Sequence, residues 1–358
     1  MRKALNEQTL TRRAFLRGAA GSAILLLVGC RIDDESGAVV ATPAGPPSPP
    51  PEMRSPTPRP REIEITSVTD FYEQHFQGVE HVDSKEWRLV IDGLVDNPHT
   101  LTYAELLSRP KAEIMRTLEC IGNPVGGNQI GNAIWGGFWL NDLLAEAGVR
   151  PEAVRARFEA ADEYDTSVAR EFIDRPGVLM AYEMNGQPLT PNHGFPLRIF
   201  MPGLYGQKMP KWITRIEFIA DAQHRGYWEQ KGWSETARVK TNSQLIAPAH
   251  IGRVPLAEIE IYGIAYAGDR DITRVEVGIE QGETLNWLPA EMVSGPSNEV
   301  WTQFYLLWTP AEETSYTLLV RATDATGYTQ EERASGILQG AFPAGTDKIH
   351  NIVVKAGT

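Results

Sequence analysis

An α+β domain followed by an all-β domain is the fold class this sequence predicts, and three observations carry it. Short helix and strand patterns follow one another irregularly between residues 61 and 248, without the regular βα alternation of a doubly wound sheet. After about Pro248 the texture becomes a series of period-two strands separated by polar or Gly-rich stretches, the pattern of a β-sandwich. With 358 residues and 42% hydrophobic content, the chain can fill two domains and bury a large core.

The first sixty residues stand outside that fold. Thr11-Arg12-Arg13-Ala14-Phe15-Leu16-Arg17 precedes an apolar stretch from Ala19 to Val28. About ten apolar residues cannot cross a hydrocarbon core of roughly 30 Å as a helix. A basic segment, a short apolar run and small residues make a signal peptide over residues 1–29. The paired arginines resemble the twin-arginine export signal, which implies a periplasmic or outer-face location. Leu27-Val28-Gly29-Cys30 resembles a bacterial lipobox, which implies a lipid anchor to the membrane through Cys30. Residues 30–60 are rich in proline, so they form an extended spacer of about 3.1 Å per residue rather than packed structure.

Within the α+β half, Trp87-Arg88-Leu89-Val90-Ile91 alternates as a strand and stops at Asp92-Gly93. Thr102-Tyr103-Ala104-Glu105 has capping-box spacing and starts a short helix through Leu107. Asn141 is placed to cap a helix from Asp142 to Ala147, closed by Gly148. Strands are expected again at 195–201 and 212–219. In the β-rich part they are expected at 259–265, 272–279, 301–308 and 316–323, with Arg274-Val275-Glu276-Val277-Gly278-Ile279-Glu280 alternating cleanly.

Composition and missing motifs narrow the chemistry. A net charge of −12 without a basic run in the body argues against nucleic acid as a partner. The seven histidines are scattered and no HExxH or cysteine pair occurs, so a zinc site made by the protein alone is not expected. No CxxCH is present, so no c-type haem is expected in this chain. If the signal is cut at Cys30, Cys120 is the one thiol left in the body, either a ligand or an inert core residue.

Three segments could surround an anionic, metal-bearing ligand. Thr117-Leu118-Glu119-Cys120-Ile121-Gly122-Asn123 sends a cysteine from a strand into a Gly-rich loop, and Gly131-Asn132-Ala133-Ile134-Trp135 follows it. His193-Gly194-Phe195-Pro196-Leu197-Arg198 and Lys208-Met209-Pro210-Lys211-Trp212 supply cations, the arginine suited to bidentate phosphate binding. In this order and spacing the segments resemble the molybdopterin-binding domain of the sulfite oxidase family, over residues 61–248. Residues 249–358 resemble the family's immunoglobulin-like dimerisation domain, which implies a homodimer.

The resemblance implies a molybdenum-molybdopterin cofactor, with Cys120 as the molybdenum ligand. It implies cofactor contacts at His193, Arg198 and Lys211, and at Lys208, which stands where arginine is usual. Thr166 and Ser167 resemble a segment beside the cofactor. Asp70, Phe71 and Tyr72 resemble the entry segment of the methionine-sulfoxide-reductase branch, with aspartate as a departure. Trp135 is either a lining of the substrate mouth or a core tryptophan. Pro124 replaces the arginine that commonly follows the Cys-x-Gly-Asn motif, and Arg225 is the candidate to restore that charge through space. The implied activity is oxygen-atom transfer, with sulfite or a related small compound oxidised and electrons passed to a separate carrier such as a cytochrome. The alternatives are a sulfoxide reductase using the same cofactor, and a non-catalytic exported binding module.

Overall fold

The computed structural model describes residues 61–333 and 340–357, all within one unit spanning Pro56–Thr358. The expected signal peptide and extended spacer, with Cys30, lie outside the described residues. In chain order, the elements of the first half are β1 (Arg88–Gly93), β2 (His99–Thr102), α1 (Tyr103–Leu107), β3 (Ala112–Glu119), β4 (Ile130–Trp139) and α2 (Leu140–Ala147). They continue with β5 (Arg155–Ala160), β6 (Asp165–Ala169), α3 (Arg170–Ile173), β7 (Leu179–Met184), β8 (Gln187–Pro188), β9 (Arg198–Phe200), β10 (Ile213–Ile219) and α4 (Tyr227–Gln230).

Local chemistry explains both early helices. Thr102 and Glu105 close a reciprocal capping box on α1, as the spacing predicts. Gly148 ends α2 at φ 63°, a left-handed position that glycine adopts without a Cβ penalty. Asn141 does not cap α2. The helix starts two residues earlier, at Leu140, because Leu140, Leu143 and Ala147 are all buried on one face, and Asn141 Nδ2 faces Asp174 O at 3.4 Å instead. The strand expected over 195–201 is shorter, Arg198–Phe200, pairing with β7.

Two sheets build the α+β half. One has the order β2-β1-β10-β5-β6, with β1 and β10 parallel; the other runs β3-β4-β7-β8, with β9 added beside β7. Their inner faces share a core that includes Leu89, Trp135, Phe138, Phe158, Leu179 and Phe218, all nearly fully buried. The second of these sheets matters most here, because β3 delivers Cys120 and β9 delivers Arg198.

The β-rich half contains β11 (Asn242–Ala247), β12 (Gly252–Val254), β13 (Ile259–Tyr266), β14 (Ile272–Gln281), β15 (Thr284–Pro289), β16 (Glu291–Val293), β17 (Thr302–Trp308), β18 (Ser315–Asp324) and β19 (His350–Ala356). The immunoglobulin-like sandwich expected of this half is corrected by the strand pairing. The strands form two open sheets, β11-β13-β17-β16 and β12-β19-β18-β14-β15, that do not close or curl into one another. Along one edge β12 runs parallel to β19. Alternation along a strand dictates which side chains are buried, as it does for Val275, Val277 and Ile279 in β14, but it carries no information on how sheet edges pair.

Candidate active site

Cys120 sits immediately after β3, half-buried, at the rim of a cavity of about 220 Å³. Its backbone N–H donates to Gln129 O at 2.9 Å, and its carbonyl accepts from Asn123 N–H at 3.0 Å, so the loop folds back on its own start. Gly126 turns the loop at φ +68°, where a Cβ would also run into the His350 ring at 2.3 Å. Gly122 N–H points to Cys120 Sγ at 3.4 Å. Burial pushes the Cys120 thiol above its ordinary pKa, that N–H pulls it back, and the Glu119 charge adds to the rise. No cation among the described residues offsets that rise, so the bare pocket favours the protonated thiol and a metal would have to displace the proton.

The positive charge of the cavity belongs to Arg198 and Lys211, while burial lowers the pKa of His75 and His193 beside them and so favours the neutral rings. Arg198 is 4% exposed, packs over Trp135 and Phe200, and donates from Nη1 to His193 O at 3.0 Å. Its Nε is buried without a partner. Lys211 Nζ meets His75 Nδ1 at 2.8 Å and Asn192 O at 2.9 Å. Neither cation forms an ion pair with a carboxylate among the described residues. Burial therefore pulls Arg198 down to about 10 and, together with the Arg198 charge, Lys211 to about 7. Buried cations without counter-charges are costly unless an anion completes them.

A different chemistry surrounds the thiol. A Cβ on Gly122 would lie 3.6 Å from Cys120 Sγ and 3.8 Å from both Gln129 Oε1 and the Trp233 ring. Trp228, Phe76 and Tyr164 continue that wall, with Phe76 and Trp228 in edge contact at 6.5 Å between centroids. The cavity thus has a cationic side suited to phosphate and an aromatic, amide-bearing side next to the sulfur.

Of the residues singled out in the sequence, the structure brings Cys120, Tyr72, His193, Arg198 and Lys211 to this cavity. The others lie off its walls. Trp135 is fully buried and donates to Arg116 O at 3.0 Å, so it supports Arg198 from behind rather than lining the mouth. Phe71 is a core residue against Trp135 and His193, and Asp70 is exposed and bonded to Ser67. Thr166, Ser167 and Lys208 form a buried polar cluster with Glu229. Arg225 is exposed and paired with Glu235, so the charge missing at Pro124 is not restored from there. His75, Phe76, Trp228 and Trp233 are cavity residues that the sequence alone did not single out. His75 and Phe76 follow Tyr72 closely, and two tryptophans flank Gly232 within one short stretch; this density of aromatics was the available signal.

The cationic side gives a pH signature. Lys211 is near 7 in the folded chain and far higher when unfolded, so the unliganded fold gains stability as the pH rises through about 7. A bound dianion reverses that preference by holding the proton. Sulfate affinity of the cofactor-free chain is therefore expected to fall about tenfold per pH unit above that value. Titration calorimetry between pH 6 and 9 checks this; a flat profile in the wild type, or an unchanged slope in Lys211→Met, would rule Lys211 out as the anion's partner.

The residues fit a molybdopterin. A lone soft thiolate suits a metal whose remaining ligands come with a dithiolene, and among the described residues no group of three or more His, Cys, Asp or Glu could hold a metal unaided. The orphaned Arg198 Nε, and Lys211, which meets no carboxylate among the described residues, suit the anionic end of such a cofactor.

Comparison with known proteins agrees. The oxidoreductase molybdopterin binding domain matches residues 75–228, and the Mo-co oxidoreductase dimerisation domain matches residues 234–345. The sulfite oxidase of Gallus gallus is 30% identical over 318 residues, covering 75% of this chain and 68% of that protein. The chain is 28% identical over 338 residues to the NADH nitrate reductase of Hordeum vulgare, but spans only 37% of its length. The crystal structure of the sulfane dehydrogenase SoxCD from Paracoccus pantotrophus superposes with a TM-score of 0.70 at 25% identity, covering 83% of this chain and 82% of that one. The chain belongs to the sulfite oxidase family of molybdopterin-binding oxidoreductases, with the Mo-co dimerisation domain at its C-terminal end.

Proposed function

We propose that this protein is a molybdenum-cofactor oxidoreductase that adds an oxygen atom from water to a small sulfur compound, sulfite or a relative of it. Two protons and two electrons are released per turnover, and the electrons pass to a separate carrier, such as a cytochrome. The observation that carries the reading is one cavity holding the half-buried Cys120 thiol together with the buried Arg198 and the half-buried Lys211, neither of them paired with a carboxylate among the described residues. When bound, the cofactor supplies the two-electron oxygen-transfer chemistry. Cys120 holds the metal from the protein side, while Arg198, Lys211 and His193 bind and orient the anionic end. Tyr72 and the aromatic wall narrow the access of water to the reacting centre.

A second reading, reduction of a sulfoxide with the same cofactor, is favoured by one feature. The wall beside Cys120 is aromatic and amide, and Arg225 is engaged with Glu235 instead of facing a substrate anion. Export by the twin-arginine route, a lipid anchor at Cys30 and a homodimer built through the C-terminal half complete the proposal.

One preparation tests these statements together. The full chain, purified from a host that makes the cofactor, is expected to carry close to one molybdenum per chain, to begin at a lipidated Cys30 and to have the mass of a dimer. Metal-free protein would end the enzyme reading, and an unmodified monomer would end the anchor and assembly readings. Faster turnover of sulfite with an artificial acceptor than of methionine sulfoxide with an artificial donor supports the first direction; the reverse order selects the second.

A further inference from the structure

Glu119 is the last residue of β3, next to Cys120, and only 3% of its surface is exposed. One carboxylate oxygen accepts from Asn123 Nδ2 at 3.0 Å, and the other accepts from Asn242 Nδ2 at 3.0 Å. No cation pairs with this carboxylate among the described residues. Neither amide is free to turn over. Asn123 Oδ1 already accepts from Gln129 N–H at 3.0 Å, and Asn242 Nδ2 also donates to Lys240 O at 3.0 Å. Each therefore presents a donor, and only a group with two acceptors satisfies both.

These bonds tie three pieces of chain together. Cys120 and Gln129 are the two ends of the loop that contains Asn123, and Gln129 O holds the Cys120 N–H at 2.9 Å. Asn242 opens β11, which pairs with β13 in the β-rich half. A carboxylate buried between two neutral amides is a poor source of stability, because an apolar replacement would avoid its desolvation. Its geometry serves direction instead.

We infer that Glu119 is a positioning residue for Cys120: it clamps the cysteine loop to the first strand of the β-rich half and so fixes where the thiol points. The inference rests on Cys120 as the metal ligand. Its consequence is that the β-rich half, besides any part in assembly, sets the geometry of the thiol.

The bond polarity gives a test. In the full chain made without cofactor, the rate of Cys120 alkylation by iodoacetamide is read by mass spectrometry on the peptide that carries it. Glu119→Gln sets an NH₂ against a committed donor, and Asn242→Asp sets two carboxylates face to face. Each is expected to raise the rate about tenfold, the equivalent of one hydrogen bond. The combined Glu119→Gln/Asn242→Asp variant faces one donor with one acceptor again at this contact, while Lys240 O stays without its donor from residue 242, so it is expected to recover part of the protection, with a rate below that of either single variant. A merely structural role would lower the melting temperature without this loss and recovery of thiol protection.

Unchanged rates in the single variants, or no recovery in the pair, overturn the inference. If Glu119→Gln does not fold, Asn242→Ala removes the outer donor alone and is expected to give the same rise; no rise overturns it equally. Because the rate is read without metal, it is independent of whether Cys120 binds molybdenum, which metal analysis of the loaded chain decides.

Discussion

Lys208→Met is expected to lower the unfolding free energy by about 3–5 kcal/mol, the cost of leaving one charge of a buried pair alone. Lys208 is completely buried, and its ammonium donates to Glu229 Oε1 at 2.7 Å, Ser167 O at 3.0 Å and Thr166 Oγ1 at 3.3 Å. Glu229 is 5% exposed, and its second oxygen already lacks a hydrogen-bond partner. Burial lowers the Lys208 pKa, and the Glu229 carboxylate beside it opposes the fall. Methionine conserves most of the volume, so the loss reports the charge rather than a cavity. The combined Lys208→Met/Glu229→Leu change is expected to recover most of it, since neither charge is then stranded. Urea titrations of the three variants check this, and a single-variant loss below about 1 kcal/mol would mean the cluster is reached by water. Lys208 thus acts on the site indirectly, through Gln207, which lines the cavity and donates to the same Glu229 oxygen at 2.7 Å.

Cys120→Ser is expected to have the largest effect on function with little effect on the fold. The half-buried sulfur has one weak local contact, with Gly122 N–H, so stability should change by no more than about 1 kcal/mol. A serine hydroxyl is a harder and far less acidic ligand than a thiol, so molybdenum per chain should fall sharply and turnover by about 100-fold or more. Metal analysis, steady-state rates and thermal melts on one preparation separate these quantities. A variant that keeps its metal and its rate would return Cys120 to the status of an ordinary core thiol.

Local features were legible in the sequence for local reasons. The Thr102–Glu105 box and the Gly148 stop each depend on residues a few positions apart, and both form as the spacing predicts. Asn141 was misplaced because the buried face of α2, not its cap, sets where that helix begins. The identity of Cys120, His193, Arg198 and Lys211 as a set was also legible, because an ordered group of unusual residues survives in one dimension.

What only the tertiary structure decided is which of the named residues share a wall. Lys208 and Lys211 are three residues apart, yet one is spent on Glu229 inside the protein and the other faces the cavity. Trp135 went to the core and Trp233 to the thiol. The sequence by itself determined the chemistry available: a soft thiolate, cations for an anionic cofactor, and strands to carry them. Placement depended on contacts such as Glu119–Asn242, 123 residues apart, and on the pairing of sheet edges, whose hydrogen bonds are made by backbone groups common to every residue.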